Sequence, residues 1–458
     1  MIAEKPSTRP ETLQPETLRR FHEGFAQSPQ ASLARNAVSK QSVHSVALDR
    51  EVVTNTDHTF SHALTSNRIT SQKRSGRCWM FAGLNLFRSE AKKRLNVDDF
   101  EFSQNYLMFW DKLEKANYFF ESILHTASEP ANGRLVSFLL QKPIQDGGQW
   151  DMFVNLVRKY GVVPKSVMPE THSSSATALM NRLITSKLRE GAATLRQEAA
   201  LGASEAALQA SKETLLGRIY HMLAVHLGEP PKTFAWQWRD KDNTFTRAGT
   251  LTPQDFFAQY VGAELDNLVC LIHCPTEDKP FGHTYTVEYL GNVVEGQSIR
   301  YVNVPLDVFK QATVDMLTDE QPVWFGCDVG KYLERDLGIL DTRVYDYSSV
   351  YGETFTLDKA TRLAHGDSVM THAMVFTGVD LEDDDTPRKY RVENSWGEQV
   401  GEQGFCVMSD AWFDEYMYEV LVDKRFVPQD YLSALEKDPV VLPPWDPMGA
   451  LAAADAVC

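Results

Sequence analysis

The most restrictive feature of this sequence is a change of hydrophobic pattern at about residue 265. Before it, apolar residues recur at helical spacing, in residues 79–95, 103–124, 150–160 and 176–228. After it, short runs rich in β-branched and aromatic residues predict strands, at residues 268–273, 285–290, 323–328, 372–379 and 390–395. Helices and strands that occupy separate parts of a chain in this way predict an α+β fold.

The length and charge of the chain narrow the class of protein further. A chain of 458 residues is longer than one hydrophobic core usually serves, so we expect two or three packed units. The formal net charge is −16. Such an acidic chain repels polyanions, which argues against nucleic-acid binding and against binding to an anionic membrane surface.

The six cysteines are sparse and form no C-x-x-C pair. They do not resemble a disulfide framework, so a reducing, cytoplasmic location is expected. The N-terminus has no apolar signal segment, and no apolar run approaches the length of a membrane span. The sequence therefore predicts a soluble protein without a membrane partner.

The sharpest local signal is a cysteine at the start of an apolar helical pattern. Cys78 follows a loop that contains Gly76, and Trp79 continues into the helix. The free N–H groups and partial positive charge of a helix N-terminus favour a thiolate, which is the nucleophilic form of cysteine. Gln72 lies six residues upstream, where its amide can join the Cys78 N–H in an oxyanion hole. Taken singly, Cys78 is more often a small buried hydrophobe and Gln72 a solvated loop amide.

A second signal is the pair His372 and Asn394, which lie on either side of the acidic turn sequence 381–387. If the turn closes an antiparallel hairpin, the two side chains face each other across the strands. The asparagine then fixes the imidazole tautomer and leaves the other ring nitrogen for a thiol. The indole of Trp396 can cover this hydrogen bond and exclude water. The alternative is a surface hairpin with two unrelated polar residues.

These residues together resemble the papain-like cysteine peptidases: Gln72, Cys78-Trp79, His372 and Asn394-Ser395-Trp396-Gly397 occur in the chain order of that group. Further motifs are similar to the bleomycin hydrolase and aminopeptidase C family. They are Ser75-Gly76-Arg77-Cys78-Trp79-Met80-Phe81-Ala82, Asp146-Gly147-Gly148-Gln149-Trp150, Tyr285-Thr286-Val287-Glu288-Tyr289-Leu290-Gly291-Asn292 and His372-Ala373-Met374. The similarity runs from about residue 40 to the C-terminus.

The resemblance implies a papain-like, two-lobed α+β fold with a helical lobe and a β-barrel-like lobe. It also implies division into five parts. These are an N-terminal arm (1–40), a helical lobe with the nucleophile (41–170), a mainly helical insertion (171–265), a β-rich lobe with the histidine and asparagine (266–438) and a C-terminal arm in the active-site cleft (439–458).

The implied activity is that of a cytoplasmic cysteine aminopeptidase that forms a thioester with peptide substrates and extends to bleomycin-like amides. Cys78, His372 and Asn394 are the implied catalytic residues. Members of the family form homohexameric rings, and the terminal carboxylate of each chain meets the substrate amine. On that basis Cys458 lies in the cleft, and Gly147 and Gly148 bind an extended substrate through their backbone.

Several alternatives remain at this point. A papain-like endopeptidase would use the same residues, and a non-catalytic ring scaffold would keep only the fold. The thiol of Cys458 is a candidate for a reversible disulfide with Cys78 under oxidation. The cluster from Cys270 to Cys274 lacks a second pair of ligands at a suitable spacing, so no metal and no cofactor is expected.

Overall fold

The structure is a computed structural model that describes residues 12–65 and 67–450. Within these ranges the α-helices are α1 (Pro15–Ala26), α2 (Pro29–Val38), α3 (Val43–Ala47), α4 (Arg50–Asn55), α5 (Cys78–Leu95), α6 (Gln104–His125), α7 (Arg134–Gln141), α8 (Trp150–Tyr160), α9 (His172–Ser175), α10 (Ala178–Ala200), α11 (Glu205–Leu227), α12 (Pro253–Tyr260), α13 (Leu306–Thr318), α14 (Tyr347–Tyr351), α15 (Lys359–Ala364), α16 (Asp410–Tyr416) and α17 (Gln429–Leu432).

The strands of the same ranges are β1 (His62–Ala63), β2 (Phe234–Arg239), β3 (Phe245–Leu251), β4 (Leu268–Ile272), β5 (His283–Val287), β6 (Tyr301–Asn303), β7 (Val323–Cys327), β8 (Leu333–Glu334), β9 (Ile339–Leu340), β10 (His372–Leu381), β11 (Pro387–Glu393), β12 (Phe405–Ser409), β13 (Met417–Asp423) and β14 (Val440–Leu442).

The chain divides into two compact units, and the smaller one joins residues up to 56 with residues 342–357. It consists of α1 to α4 and α14. Backbone hydrogen bonds link its two segments: Asp49 N–H donates to Val344 O at 2.9 Å and Asp346 N–H to Ala47 O at 2.7 Å. The rings of His44 and Tyr345 stack with centroids 4.6 Å apart.

The larger unit, residues 57–341 and 358–450 as described, contains a mixed sheet. Its strand order is β14-β5-β6-β4-β13-β7-β10-β11-β12-β9-β8, and β1 pairs with β10. A separate hairpin is formed by β2 and β3. The central strands β7 and β10 are buried along nearly all their length. The pattern of helices first and a sheet afterwards confirms the α+β class.

Side chains of the sheet alternate between two apolar layers, because successive residues of a strand point to opposite faces. In β10, Ala373 and Val375 pack with helices α5, α6 and α8, whereas Met374 and Phe376 pack with α13 and α16. The first layer includes the N-terminal turn of α5. The sheet therefore supplies a rigid base on which α5 is placed.

The helical predictions agree closely with the structure, and the strand ends differ by a few residues. Helix α8 has the predicted bounds, α5 begins one residue earlier and α6 is shifted by one residue. Strand β5 ends at Val287 because Tyr289 adopts a left-handed conformation (φ 55°). The predicted strand 390–395 begins at Pro387 and ends at Glu393.

The segment that was predicted to be mainly helical contains the long antiparallel helices α10 and α11, and also the hairpin of β2 and β3. Trp236 and Trp238 alternate along β2 and stack on each other with ring centroids 6.0 Å apart. Within the described residues, every helix is too short or too polar to cross a membrane.

Candidate active site

Cys78 is the first residue of α5 and is fully buried. The helix has no side-chain cap, because the guanidinium of the preceding Arg77 has no acceptor to offer; it donates instead to Glu170 with two hydrogen bonds of 2.9 and 2.7 Å. Backbone N–H groups of Ala373, Trp79 and Cys78 itself point at the sulfur. The thiol therefore lies beside the residue that follows His372, at the beginning of β10.

His372 is fully buried at the first position of β10 and lies opposite Cys327 of β7. Its Nε2–H donates to Asn394 Oδ1 at 2.9 Å, and the same oxygen accepts the Ser395 N–H at 2.7 Å. The amide of Asn394 also bonds the sulfur of Cys406, which fixes its orientation. Nδ1 of His372 has no hydrogen-bond partner among the described residues, so it is the nitrogen that remains for a reaction.

The expected hairpin is present, and it brings His372 and Asn394 together. Strands β10 and β11 pair in antiparallel fashion with Val375 opposite Glu393, and a bulge lies between Phe376 and Gly378. The indole of Trp396 lies against the imidazole, with ring centroids 4.9 Å apart at 34°. The two rings are therefore in contact, and the shielding of the His372–Asn394 hydrogen bond by Trp396 stays a prediction.

The charge states of the two groups follow from their burial. Burial raises the pKa of the Cys78 thiol to about 12, against the lowering effect of the three backbone N–H groups. Burial lowers the pKa of His372 to about 4, although the Asn394 hydrogen bond raises it. Both shifts favour the neutral thiol and imidazole in the covered site. The ion pair of thiolate and imidazolium stays a prediction for the reacting enzyme.

Gln72 is buried, and hydrogen bonds to Ser395 and Ser75 hold its backbone and its side chain. Its backbone N–H donates to Ser395 O at 2.8 Å, its Oε1 accepts the Ser395 hydroxyl at 2.6 Å, and its Nε2 donates to Ser75 O at 2.5 Å. An amide nitrogen carries two hydrogens, so one N–H of Nε2 is left after the bond to Ser75. The loop 72–78 and the segment after Asn394 are therefore fixed to each other.

The loop 72–78 is also held by the buried carboxylate of Asp146, a residue to which the sequence analysis assigned no role of its own. Asp146 Oδ2 accepts the Gly76 N–H at 2.9 Å, and Oδ1 accepts the ammonium of Lys112 at 2.6 Å. Burial raises the pKa of Asp146, but the charge and hydrogen bond of Lys112 outweigh it and keep the carboxyl ionised. The charged pair Asp111-Lys112, which interrupts an apolar stretch of α6 between Trp110 and Leu113, was the available sequence signal.

Gly147 and Gly148 follow Asp146 and are buried. The carbonyl of Gly147 accepts the ammonium of Lys115 at 2.6 Å. A Cβ on Gly148 would lie 2.4 Å from the Trp79 ring, so only glycine permits this approach. The two glycines therefore carry the backbone past the first turn of α5.

The C-terminal segment reaches the loop that contains Gly147, Gly148 and Gln149. Strand β14 adds in parallel to β5, and beyond it the Tyr301 hydroxyl donates to Met448 O at 3.3 Å. Asp446 forms a buried ion pair of 2.9 Å with Lys279. The Gln149 side chain donates to Ala450 O at 2.8 Å. Cys458 lies outside the described residues.

A cavity of about 580 Å³ is lined by Trp396 and Gly397 and by Ser71 and Lys73, the two neighbours of Gln72 in the sequence. Each of its four lining carboxylates is paired with a basic side chain. The pairs are Glu398 with Arg68 (2.9 Å), Asp99 with Arg88 (3.3 Å), Glu101 with Lys165 (2.6 Å) and Glu170 with Arg77 (2.7 Å). Of the four described cations that line it, only Lys73 has no carboxylate of the described residues within salt-bridge distance.

Comparisons with known proteins agree with this geometry. The model of the peptidase C1-like family matches residues 12–449. An aminopeptidase C from Listeria monocytogenes is 45% identical over 437 residues, which are 95% of this chain and 98% of that protein. Human bleomycin hydrolase is 42% identical over 433 residues, covering 93% and 95% of the two chains.

The fold has a solved counterpart as well. The crystal structure of PepW from Lactobacillus rhamnosis superimposes with a TM-score of 0.94 at 47% identity, over 96% of this chain and 99% of that one. These matches confirm the family resemblance and the papain-like α+β fold that it implied. The chain is therefore a cysteine peptidase, and it belongs to the peptidase C1-like family.

Proposed function

We propose that this chain is a cysteine aminopeptidase in which Cys78 is the nucleophile, His372 the general base and acid, and Asn394 the residue that orients the imidazole. The observation that carries this proposal is the buried His372–Asn394 hydrogen bond of 2.9 Å, which leaves Nδ1 without a partner in the part of the chain that the structure describes. The sulfur of Cys78 accepts a hydrogen bond from the backbone N–H of Ala373, the residue that follows His372. A nucleophile, a base and an orienting group are thus gathered at one point.

In the proposed reaction, His372 Nδ1 takes the proton of the Cys78 thiol. The thiolate attacks the carbonyl carbon of the first peptide bond and forms a tetrahedral intermediate. His372 then returns the proton to the leaving amine as the C–N bond breaks, which leaves a thioester. Water, deprotonated by the same imidazole, hydrolyses the thioester and restores the thiol.

The proposed oxyanion hole consists of the Cys78 backbone N–H and the remaining N–H of Gln72. A helix N-terminus provides the first donor at no cost in reorganisation. The four hydrogen bonds of Gln72 hold the second donor in place before the substrate arrives. Trp396 shields the His372–Asn394 bond from water, which strengthens it.

The proposed restriction to the first residue comes from the C-terminal arm, residues 439–458. Its described part is anchored by Asp446 and ends at Ala450, whose carbonyl bonds Gln149. Gly147 and Gly148 precede Gln149 and provide backbone for the short amino-terminal part of the substrate. We infer that the arm occupies the space that further residues before the scissile bond would need.

The substrate class follows from the relatives. Proteins named aminopeptidase C and bleomycin hydrolase are 42–48% identical to this chain, which supports N-terminal residues of peptides and bleomycin-like amides as substrates. We also infer a homohexamer in the cytoplasm, as the family resemblance implies. Sedimentation of the pure protein tests the hexamer directly.

The deciding experiment is deletion of residues 451–458. Hydrolysis of aminoacyl-arylamides should fall, and peptides with a blocked N-terminus should become substrates. If the full-length chain already hydrolyses blocked peptides at interior bonds, it is an endopeptidase. If neither substrate class is hydrolysed and an active-site thiol alkylator does not react, the non-catalytic scaffold is the better description.

A further inference from the structure

The cavity beside Trp396 has no part in the chemistry described so far. We propose that it receives the leaving part of the peptide and that Lys73 binds a carboxylate carried there, so that the enzyme prefers peptides with an anion at the second position after the scissile bond. This inference rests on the proposed function and adds a specificity-determining residue to it.

The position of the cavity assigns it to the leaving peptide. In the proposed function, the substrate amine lies beside Gly147 and Gly148. The side chain of the next residue, Gln149, donates to Ala450 O on that side. The cavity is lined instead by Trp396 and Gly397 and by Ser71 and Lys73, which flank Gln72 in the sequence. Because a peptide bound across Cys78 runs from one side to the other, the residues released first lie next to this cavity.

The backbone of Lys73 has an unusual conformation. Its φ is 55°, a left-handed value that L side chains rarely adopt and that glycine would adopt without strain. Hydrogen bonds on both sides impose it: Gln72 N–H donates to Ser395 O at 2.8 Å and Arg74 N–H to Ser175 O at 3.0 Å. A strained residue next to an active site is a reason to look for a role of its side chain.

The charges of the cavity favour an anion at Lys73. All four lining carboxylates already have basic partners, as described above. The side chain of Lys73 is exposed, and no carboxylate of the described residues neutralises it. A ligand carboxylate is therefore the group that completes the charge balance of this surface.

Two sources can supply that carboxylate, an acidic side chain or the C-terminus of a short peptide. The test compares kcat/KM within two matched pairs. The first pair is Ala-Ala-Asp-Ala-amide and Ala-Ala-Asn-Ala-amide, and the second is Ala-Ala-Ala and Ala-Ala-Ala-amide. In each pair the anionic group lies on the second residue of the leaving peptide, and a preference in one pair alone identifies the source.

In the wild type we expect the anionic member of at least one pair to be preferred by about three-fold, the size of an exposed ion pair. Lys73→Gln should bring this ratio to about one, and Lys73→Glu should invert it. The matched control Arg74→Gln removes the same charge from an exposed neighbour that does not line the cavity, and should keep the wild-type ratio. The preference should also decline at high salt, because exposed charges are screened.

Three results would overturn the inference. Equal rates within both pairs in the wild type would show that no carboxylate is recognised. An unchanged preference in Lys73→Gln would place the recognition elsewhere. An equal loss for all four peptides in Lys73→Gln and Lys73→Glu would mean that residue 73 only positions Gln72. Failure of the wild type to hydrolyse any of the peptides would instead contradict the proposed aminopeptidase activity.

Discussion

The two sides of the proposed cleft are built differently. On the proposed amino side, the chain packs against itself: Asp446 and Lys279 form a buried ion pair, and Gln149 donates to Ala450 O. On the proposed leaving side lies a cavity lined by Trp396 and the exposed Lys73. Buried contacts can exclude a substrate by shape, whereas exposed charges change the relative rates of different substrates by small factors only.

Both sides depend on one thiol, so its removal has the largest effect. Cys78→Ala should lower kcat by at least about 10⁴-fold on every substrate, because the nucleophile is lost. The protein should stay folded, as measured by circular dichroism and thermal unfolding. Cys274→Ala removes another buried thiol at the end of β4 and should keep its activity. Turnover by Cys78→Ala would contradict the assignment.

The next largest effect concerns the oxyanion hole at the boundary of the two sides. Gln72→Ala should reduce kcat by about 10²–10³-fold with little change in KM, because the amide acts on the transition state. Ser395→Ala keeps the amide and removes only its hydroxyl partner, so its loss should be smaller. If Gln72→Ala turned over like the wild type, the amide would have no place in the site.

The amino side is tested by breaking its buried ion pair. Lys279→Met leaves Asp446 buried without its partner, which should destabilise the protein by about 3 kcal/mol and loosen the arm. Hydrolysis of N-blocked peptides should then rise, by about ten-fold if the arm is released most of the time. The double variant Lys279→Met with Asp446→Leu leaves no unpaired charge and should be more stable than the single variant. A loss of stability without any gain on blocked peptides would show that the pair supports the fold only.

The smallest expected effect is a shift in the pH dependence of kcat/KM when Trp396, on the proposed leaving side, is replaced. Burial lowers the pKa of His372 to about 4, so the imidazole stays neutral and able to accept a proton down to about that pH. Trp396→Ala exposes the ring to water, which raises this pKa toward the ordinary 6.5. The acid limb of kcat/KM should therefore move to higher pH, and activity at pH 5 should fall most.

Trp238→Ala removes an indole of the β2–β3 hairpin, far from His372 in the fold, and should leave the acid limb in place. An acid limb that stays at the wild-type pH in Trp396→Ala would show that the indole does not determine the solvation of the histidine. A limb that moves in both variants would point to general destabilisation.

Local patterns predicted much of this fold because local forces determine it. Helix α8 has the predicted bounds, since its apolar period and the following Gly161 define both its face and its end. The hairpin of β10 and β11 was predictable from its acidic turn. The hairpin of β2 and β3 was not predicted, although Trp236 and Trp238 alternate, because long helix-forming segments dominate the region. No local sequence pattern predicted that residues 342–357 pack with the N-terminal helices.

The five-part division of the chain and the roles of the site residues remain predictions that the experiments above address. The sequence nevertheless placed Cys78 at a helix start and His372 across a hairpin from Asn394, and the structure has both features. The register is offset by the bulge after Phe376, which no pattern indicated. Bulges depend on packing from neighbouring strands, so they are decided outside the segment that contains them.

By itself, the sequence determined the α+β class, the helix that begins at Cys78 and the hairpin that joins His372 to Asn394. These features depend on periodicity, turn residues and chain direction, which are local. Only the tertiary structure decided that Asp146 and Lys112 hold the loop at Gly76, that Ala450 meets Gln149, and that Lys73 is the unpaired cation among the described residues lining its cavity. Each of these depends on which distant charges and donors come together, and that is fixed only when the whole core has packed.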